Sequence, residues 1–156
     1  MEAELDIAAA LSQRQHELIT IHQLAKVLAK SYSFVYGNVQ RMIAAGMIRQ
    51  QRVGHAILCR LVFAHPRVQG LLALSAAETI DQELQRTIGP AITVWKSSGK
   101  LFLAAADARS IKYKVPQATI VNITGPGWVK DIDFSSLEIR ANAAYFWALV
   151  GEHDVA

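Results

Sequence analysis

Apolar positions in the first third of the chain recur with a helical period. Ala3 to Leu11 places Leu5, Ala8, Ala9 and Leu11 on or near one face, which predicts a helix. Glu17-Leu18-Ile19 follows as a short extended piece. Thr20 stands where an N-cap belongs, ahead of Ile21, Leu24, Ala25 and Leu28 at helical spacing. Ser31 is a second N-cap, and Val35, Val39, Met42 and Ile43 behind it make another stripe at i, i+4, i+7 and i+8. Gly46 ends that helix where a residue with positive φ costs least. The pattern then changes. Met47 to Arg52 predicts a strand, Val53-Gly54-His55 a tight turn, and Ala56 to Val62 a return strand on which Cys59 faces the core as an inert thiol.

Pro66 is expected to close the first domain, with His65 and Arg67 beside it as a short connector. From Val68 to Ile88 the stripe Val68, Leu71, Leu72, Ala76, Ala77, Ile80, Leu84 and Ile88 predicts one helix about twenty residues long, stopped by Gly89-Pro90. Ala91 to Trp95 and Leu101 to Ala105 flank Lys96-Ser97-Ser98-Gly99-Lys100, a hairpin signal. Ile111 to Val115 alternates with lysine outward, and Ala118 to Ile123 reads as a buried strand ended by Gly125-Pro126-Gly127. Ser135 or Ser136 is expected to cap a last helix running through Val150.

Two amphipathic helices joined by Ala29-Lys30-Ser31 describe a helix-turn-helix, and a basic hairpin directly after the second one is a wing. The residues that define this arrangement are Ile21-x-x-Leu24-Ala25-Lys26-x-Leu28, Ser31-x-Ser33-x-Val35, Met42-x-x-x-Gly46-Met47-Ile48 and the Gly54 hairpin. On them, about residues 4 to 65 resemble the winged helix-turn-helix transcription regulators of the MarR/ArsR-like type common in prokaryotes. Two positions depart from that pattern: Ala29 replaces the usual turn glycine, and Gly37 lies inside the second helix, where it costs roughly 1 kcal/mol against Ala. The expected fold is α+β. A winged helix-turn-helix spans residues 1–66, and a small α+β domain (helix, about four strands, helix) spans 67–156 and serves dimerisation or sensing.

Composition narrows the function. With 52% hydrophobic and 19% charged residues the chain is not disordered, and its single cysteine excludes a disulfide framework or a Cys-rich zinc module. The longest wholly apolar stretch, Ala143 to Val150, is eight residues, against the ~20 that cross a bilayer. The chain opens Met1-Glu2-Ala3-Glu4, acidic where a secretory signal is basic, so a soluble, cytoplasmic protein is expected, without membrane association. The net charge of +3 hides an asymmetry: Arg14 to Arg67 holds eight basic residues against Glu17 alone, a balance of +7, whereas Val68 to Ala156 balances at −1. Only the first half therefore calls for an anionic partner.

A helix fits the major groove of duplex DNA, and the exposed face of the second helix (about 31–45) presents Tyr32, Ser33, Tyr36, Gly37, Gln40 and Arg41, with Ser31 at its start. Gln and Arg make bidentate contacts to base edges. Lys26, Lys30, Arg49 and Arg52 flank the helix for phosphates, and Arg52 and His55 at the tip of the wing (about 48–61) reach a minor groove. His16, His22, His55 and His65 lack partners at metal-ligand spacing, so neither a metal nor a cofactor is expected. The reading is a sequence-specific double-stranded DNA-binding protein, a transcription regulator and not an enzyme, working as a homodimer with room for a small-molecule effector. Leu72, Ile80, Leu84, Phe146 and Trp147 are the expected dimer interface, because one helix face cannot bury the three consecutive rings Tyr145, Phe146 and Trp147 inside one small domain. Two alternatives stay open. Tyr32, Phe34 and Tyr36 can form an adhesive aromatic face of a protein-docking winged helix in a larger assembly. Asp131-Ile132-Asp133, with Gly125-Pro126-Gly127 upstream, faintly resembles a nucleotidyltransferase motif without its Gly-Ser dipeptide, and two carboxylates two apart on a strand can share a divalent metal.

Overall fold

Capping chemistry decides the first helices. In the computed structural model, described over residues 2–14, 18–106, 115–125 and 127–153, the hydroxyl of Thr20 accepts from the Gln23 backbone N–H at 3.1 Å while the Gln23 side chain accepts from the Thr20 N–H at 2.9 Å. This reciprocal box opens α2 (Ile21–Leu28) behind α1 (Glu2–Ser12) and the two-residue strand β1 (Ile19–Thr20). Ala29 ends α2 in the left-handed conformation at φ 54°, which costs an L-residue with a Cβ on the order of 1–2 kcal/mol. Ser31 then caps α3 (Tyr32–Ala44) by accepting from the Phe34 N–H. Gly46, at φ 78°, turns the chain into β2 (Ile48–Val53), and Gly54, at φ 61°, heads the two-residue turn to β3 (Ala56–Leu61). The three strands form an antiparallel sheet in the order β1-β3-β2. Ile7, Leu11, Leu24, Val35, Val39 and Met42 are buried between the helices and this sheet.

The remaining elements form a second sheet with helices on both faces. The stretch expected as one helix from Val68 to Ile88 is two. His65 and Arg67, expected as a connector, are instead the cap and the second residue of α4 (Pro66–Ser75), which Pro66 opens. The helix stops at Ala76 because the next turn is recruited elsewhere: the Thr79 hydroxyl donates to the Ile139 carbonyl at 2.8 Å, and the Asp81 N–H donates to the Arg140 carbonyl at 2.7 Å. Asp81 then caps α5 (Gln82–Ile88) by accepting from the Leu84 N–H.

β4 (Ile92–Ser97) and β5 (Lys100–Ala105) form the expected hairpin, tightened to a two-residue turn in which Ser98 (φ 52°) and Gly99 (φ 77°) are both left-handed. Ala118 to Ile123 yields only the short strand β6 (Thr119–Ile120), parallel to β5 at the sheet edge. The alternating strand expected at 111–115 lies outside the described residues save for buried Val115. After α6 (Gly127–Lys130) and a 3-10 turn at Phe134–Ser136, residues expected in the last helix instead form β7 (Glu138–Ala141), with Ile139 and Ala141 inward. The last helix, α7 (Ala143–Glu152), is capped at Asn142, seven residues later than the expected Ser135 cap. Sheet order is β6-β5-β4-β7, which makes β4 central and buries Ile92, Thr93, Val94 and Trp95 on both faces. Asn142, left-handed at φ 55°, locks the β7–α7 junction. Its side-chain NH2 donates to the Gly89 and Ile92 carbonyls, each at 2.6 Å.

Burial removes three of the five expected dimer contacts. Leu72 and Phe146 are 0% exposed and Trp147 is 3% exposed within the single chain. The three rings in a row do not need a partner because α7 is covered on two sides. Phe146 packs on Trp95 of the sheet (centroids 5.1 Å apart) and Trp147 stacks on Phe63 just after β3 (5.7 Å), which leaves only Tyr145 half-buried. Ile80 and Leu84 are half-buried. One hydrophobic core runs from Ile7 of α1 to Val150 of α7, across residue 66, and a second cluster around Ile88, Val94 and Leu103 fills the α5 side of the sheet.

Close approach at Gly151 is what seats α7. A Cβ there would lie 2.6 Å from the Phe63 carbonyl oxygen and 3.2 Å from the Ala64 Cα. The backbone on that side cannot retreat without lifting Phe63 off Trp147. Gly151→Ala is therefore expected to destabilise by about 1–3 kcal/mol despite the better helix propensity of Ala. A urea midpoint equal to or above that of the parent protein would show that the contact yields freely.

Candidate nucleic-acid interface

The expected interface residues divide into those the fold presents and those it uses for structure. Ser31 is spent on its cap. Tyr32 and Tyr36, one turn apart on α3, are exposed and stacked with centroids 5.8 Å apart, and His22 at the start of α2 stacks on Tyr32 at 4.3 Å. Sequence reading weighed His22 only as a metal ligand and missed this ladder of three rings, whose members come from two helices. Ser33 and Gly37 share the exposed surface. A Cβ at Gly37 would meet nothing within 4 Å, so packing inside the chain does not require glycine there. Gln40 is half-buried, with its Nε2 enclosed and unpartnered. The Arg41 guanidinium donates to Asn38 Oδ1 at 2.6 Å, and the buried Asn38 in turn donates to the Phe34 carbonyl. Arg41 is thus held in place before any ligand arrives.

Lys26, Lys30, Arg49 and Arg52 are exposed, and none forms an ion pair with a described residue. The sequence explains why: from Leu18 to Ala77 the chain contains no Asp or Glu. Arg49 sits directly opposite Arg60 in the β2–β3 ladder, an arrangement that opposes folding but concentrates positive charge on the hairpin. Arg52 stands opposite Ile57, one residue before the end of β2, and His55 occupies the turn. Lys30 is the exception to this open field. Its Nζ lies 5.8 Å from the Phe34 ring centroid, and it shares a surface hollow with Glu2 and Asp6 of α1. Arg67 is likewise engaged, 2.8 Å from Glu4.

The expected metal-binding alternative loses its geometry. Asp131 and Asp133 lie in irregular turns around buried Ile132, not on a strand. The Asp133 carboxylate accepts from the Ser135 and Ser136 hydroxyls and approaches that of Ser98, and these hydrogen bonds hold its pKa below the usual carboxylate range. Among the described residues no group of three metal-ligating side chains gathers, and no helix is long and apolar enough to cross a membrane. His16 lies outside the described residues.

No family model, curated protein or solved structure matches this chain. The functional reading rests on the residues themselves.

Cys59, facing inward on β3 at 1% exposure, has its thiol pKa pushed up to about 11 by burial. The folded state thus favours the neutral thiol, and this contribution to stability is present below pH 9.0 and lost as pH rises through about 11. An aromatic disulfide reagent at about pH 8 is expected to modify the folded protein far more slowly than the urea-unfolded chain. Equal rates would place Cys59 at the surface.

Proposed function

We propose that the first 66 residues form a winged helix-turn-helix that binds duplex DNA, with α3 in the major groove and the β2–β3 hairpin as the wing, and that the protein is a transcription regulator. The observation that carries this reading is the carboxylate-free run from Leu18 to Ala77, whose cations Lys26, Arg49 and Arg52 are exposed and form no ion pair with a described residue. Cations without carboxylate partners are available to neutralise phosphates and so release the counterions condensed on DNA, which supplies sequence-independent affinity. Tyr32, Ser33, Tyr36 and the pre-oriented Arg41 then stand where base edges are read. Pairing of two copies over half-sites about 34 Å apart remains part of the proposal. It uses surfaces other than the buried Leu72, Phe146 and Trp147.

A second reading has its own observation. The His22–Tyr32–Tyr36 ladder is more apolar than phosphate contact requires, and aromatic rings of this kind anchor protein interfaces. Salt separates the two readings. In a mobility-shift titration of the full chain on duplex DNA, Arg52→Ala is expected to weaken binding to every sequence alike and to flatten the slope of log K against log salt by about 1 unit. Unchanged affinity and slope would remove the wing from the interface, and an absence of salt-dependent DNA binding by the parent protein would leave the docking reading in possession.

Tyr36→Ala tests the other half of the proposal. It is expected to cost on the order of 1–3 kcal/mol at one base step of a preferred site while leaving binding to arbitrary duplex nearly intact. An equal loss on both would make Tyr36 a positioning contact.

A further inference from the structure

Beside the second sheet lies a cavity of about 260 Å³ that the DNA reading does not use, lined by Trp95 of β4, Phe102 of β5, Val121 and Asn122 after β6, Trp128 of α6, and Asp131 and Ile132 beyond it. Three of these side chains are aromatic. Trp95 lies 5.9 Å from Phe102 and 5.7 Å from Trp128, centroid to centroid, so the rings form one continuous wall around the centre strand. Trp95 and Trp128 are buried and Phe102 is half-buried, whereas Asp131 is exposed, which puts the carboxylate at the solvent end of an aromatic-walled hollow. Among the described residues, Asp131 is the one charged residue in the lining. Unlike Asp133, whose oxygens are taken up by serine hydroxyls, it forms no hydrogen bond or ion pair with a described residue.

Aromatic walls and a single unpaired carboxylate select for one chemistry. The π faces of indole and phenyl rings attract a cation whose charge is spread over methyl or methylene groups, and the carboxylate neutralises that charge without a hydrogen-bond geometry to satisfy. Among the described residues, an anion meets only the carboxylate as a charged group and is repelled by it. A compact inorganic cation finds no cluster of oxygen ligands here. We infer that this cavity is a binding site for a small organic cation of the alkylammonium class, held by Trp95, Phe102 and Trp128 and paired with Asp131. The inference is independent of DNA binding, since none of its residues belongs to the first 66.

Two of the three tryptophans of the chain line the cavity, so occupancy is visible in intrinsic fluorescence. The full chain is titrated with choline and with 3,3-dimethylbutan-1-ol, which has the same shape but carries carbon in place of the charged nitrogen. Choline is expected to change the emission saturably with a Kd of about 1 mM or below, and the neutral alcohol to bind about ten-fold more weakly. Asp131→Asn, at an exposed position that the fold tolerates, is expected to erase that difference, and Phe102→Leu to weaken choline while leaving the far-UV spectrum unchanged. Absence of saturable binding by choline up to about 50 mM, equal affinity for the neutral alcohol, or a charge preference that survives Asp131→Asn would each overturn the site.

Discussion

A column of stacked rings holds the two halves of this chain in register. Phe63 lies just beyond β3, Trp147 stacks on it at 5.7 Å, Phe146 meets Trp147 edge-on at 5.0 Å, and Trp95 of the second sheet meets Phe146 at 5.1 Å, with Trp128 closing the far end. Adjacent residues of a helix point about 100° apart, so α7 can bury both Phe146 and Trp147 only if it is clamped between two layers. One layer is the exit of the basic hairpin and the other is the centre strand of the second sheet. The clamp works at short range because Gly151 lets the helix backbone come against the Phe63 carbonyl. Each ring contributes roughly 1.5–3 kcal/mol of burial, more than any single hydrogen bond in the same region, and together they decide where the first sheet stands relative to the second.

How much of this was legible in the sequence follows from how local each determinant is. Thr20 with Gln23, Ser31 with the Val35–Val39–Met42 stripe, and Gly46 and Gly54 at positive φ are contained within a few residues, and the elements they predict form with nearly the expected ends. The failures are all tertiary. Val68 to Ile88 keeps a helical stripe throughout, yet Thr79 and Asp81 give their hydrogen bonds to the β7 carbonyls of Ile139 and Arg140, and a chain cannot both pair with a strand and continue a helix. Glu138-Ile139-Arg140-Ala141 alternates polar and apolar as a strand should, but over four residues the alternation is too short to compete with the serines upstream that look like helix caps. The consecutive rings of α7 were read as a surface surplus because the second covering layer comes from residues eighty positions away.

The interface residues show the same division. Exposure of Lys26 and Tyr36 follows from helical phase alone; Arg49 and Arg52, of opposite strand phase, are both exposed because every residue of β2 after Ile48 is. Two facts required the folded chain: the stacking of His22 on Tyr32, which joins two helices, and the proximity of Glu2 and Asp6 to Lys30, which brings α1 alongside the start of α3. The first adds a titratable ring to the proposed reading surface. The second subtracts a cation from it, because a lysine beside two carboxylates offers a phosphate less than its formal charge. On the proposed reading, the affinity resides more in the hairpin and Lys26 than in the turn between α2 and α3.

Charge placement also carries a cost that the fold accepts. Arg49 faces Arg60 across the ladder, Ala29 holds a left-handed conformation where glycine would relax, and Gly37 interrupts α3 with no neighbour that requires it. Each of the three opposes stability by an amount comparable to one good hydrogen bond, and all three fall within the segment from α2 to β3. The aromatic column has its own costs: the indole N–H groups of Trp95, Trp128 and Trp147 are buried with no hydrogen-bond partner among the described residues, and Asn142 at its junction is left-handed, offset by two side-chain hydrogen bonds. Costs of this size therefore occur both in the basic segment and in the aromatic scaffold behind it, and in the scaffold they are outweighed by the burial of the rings.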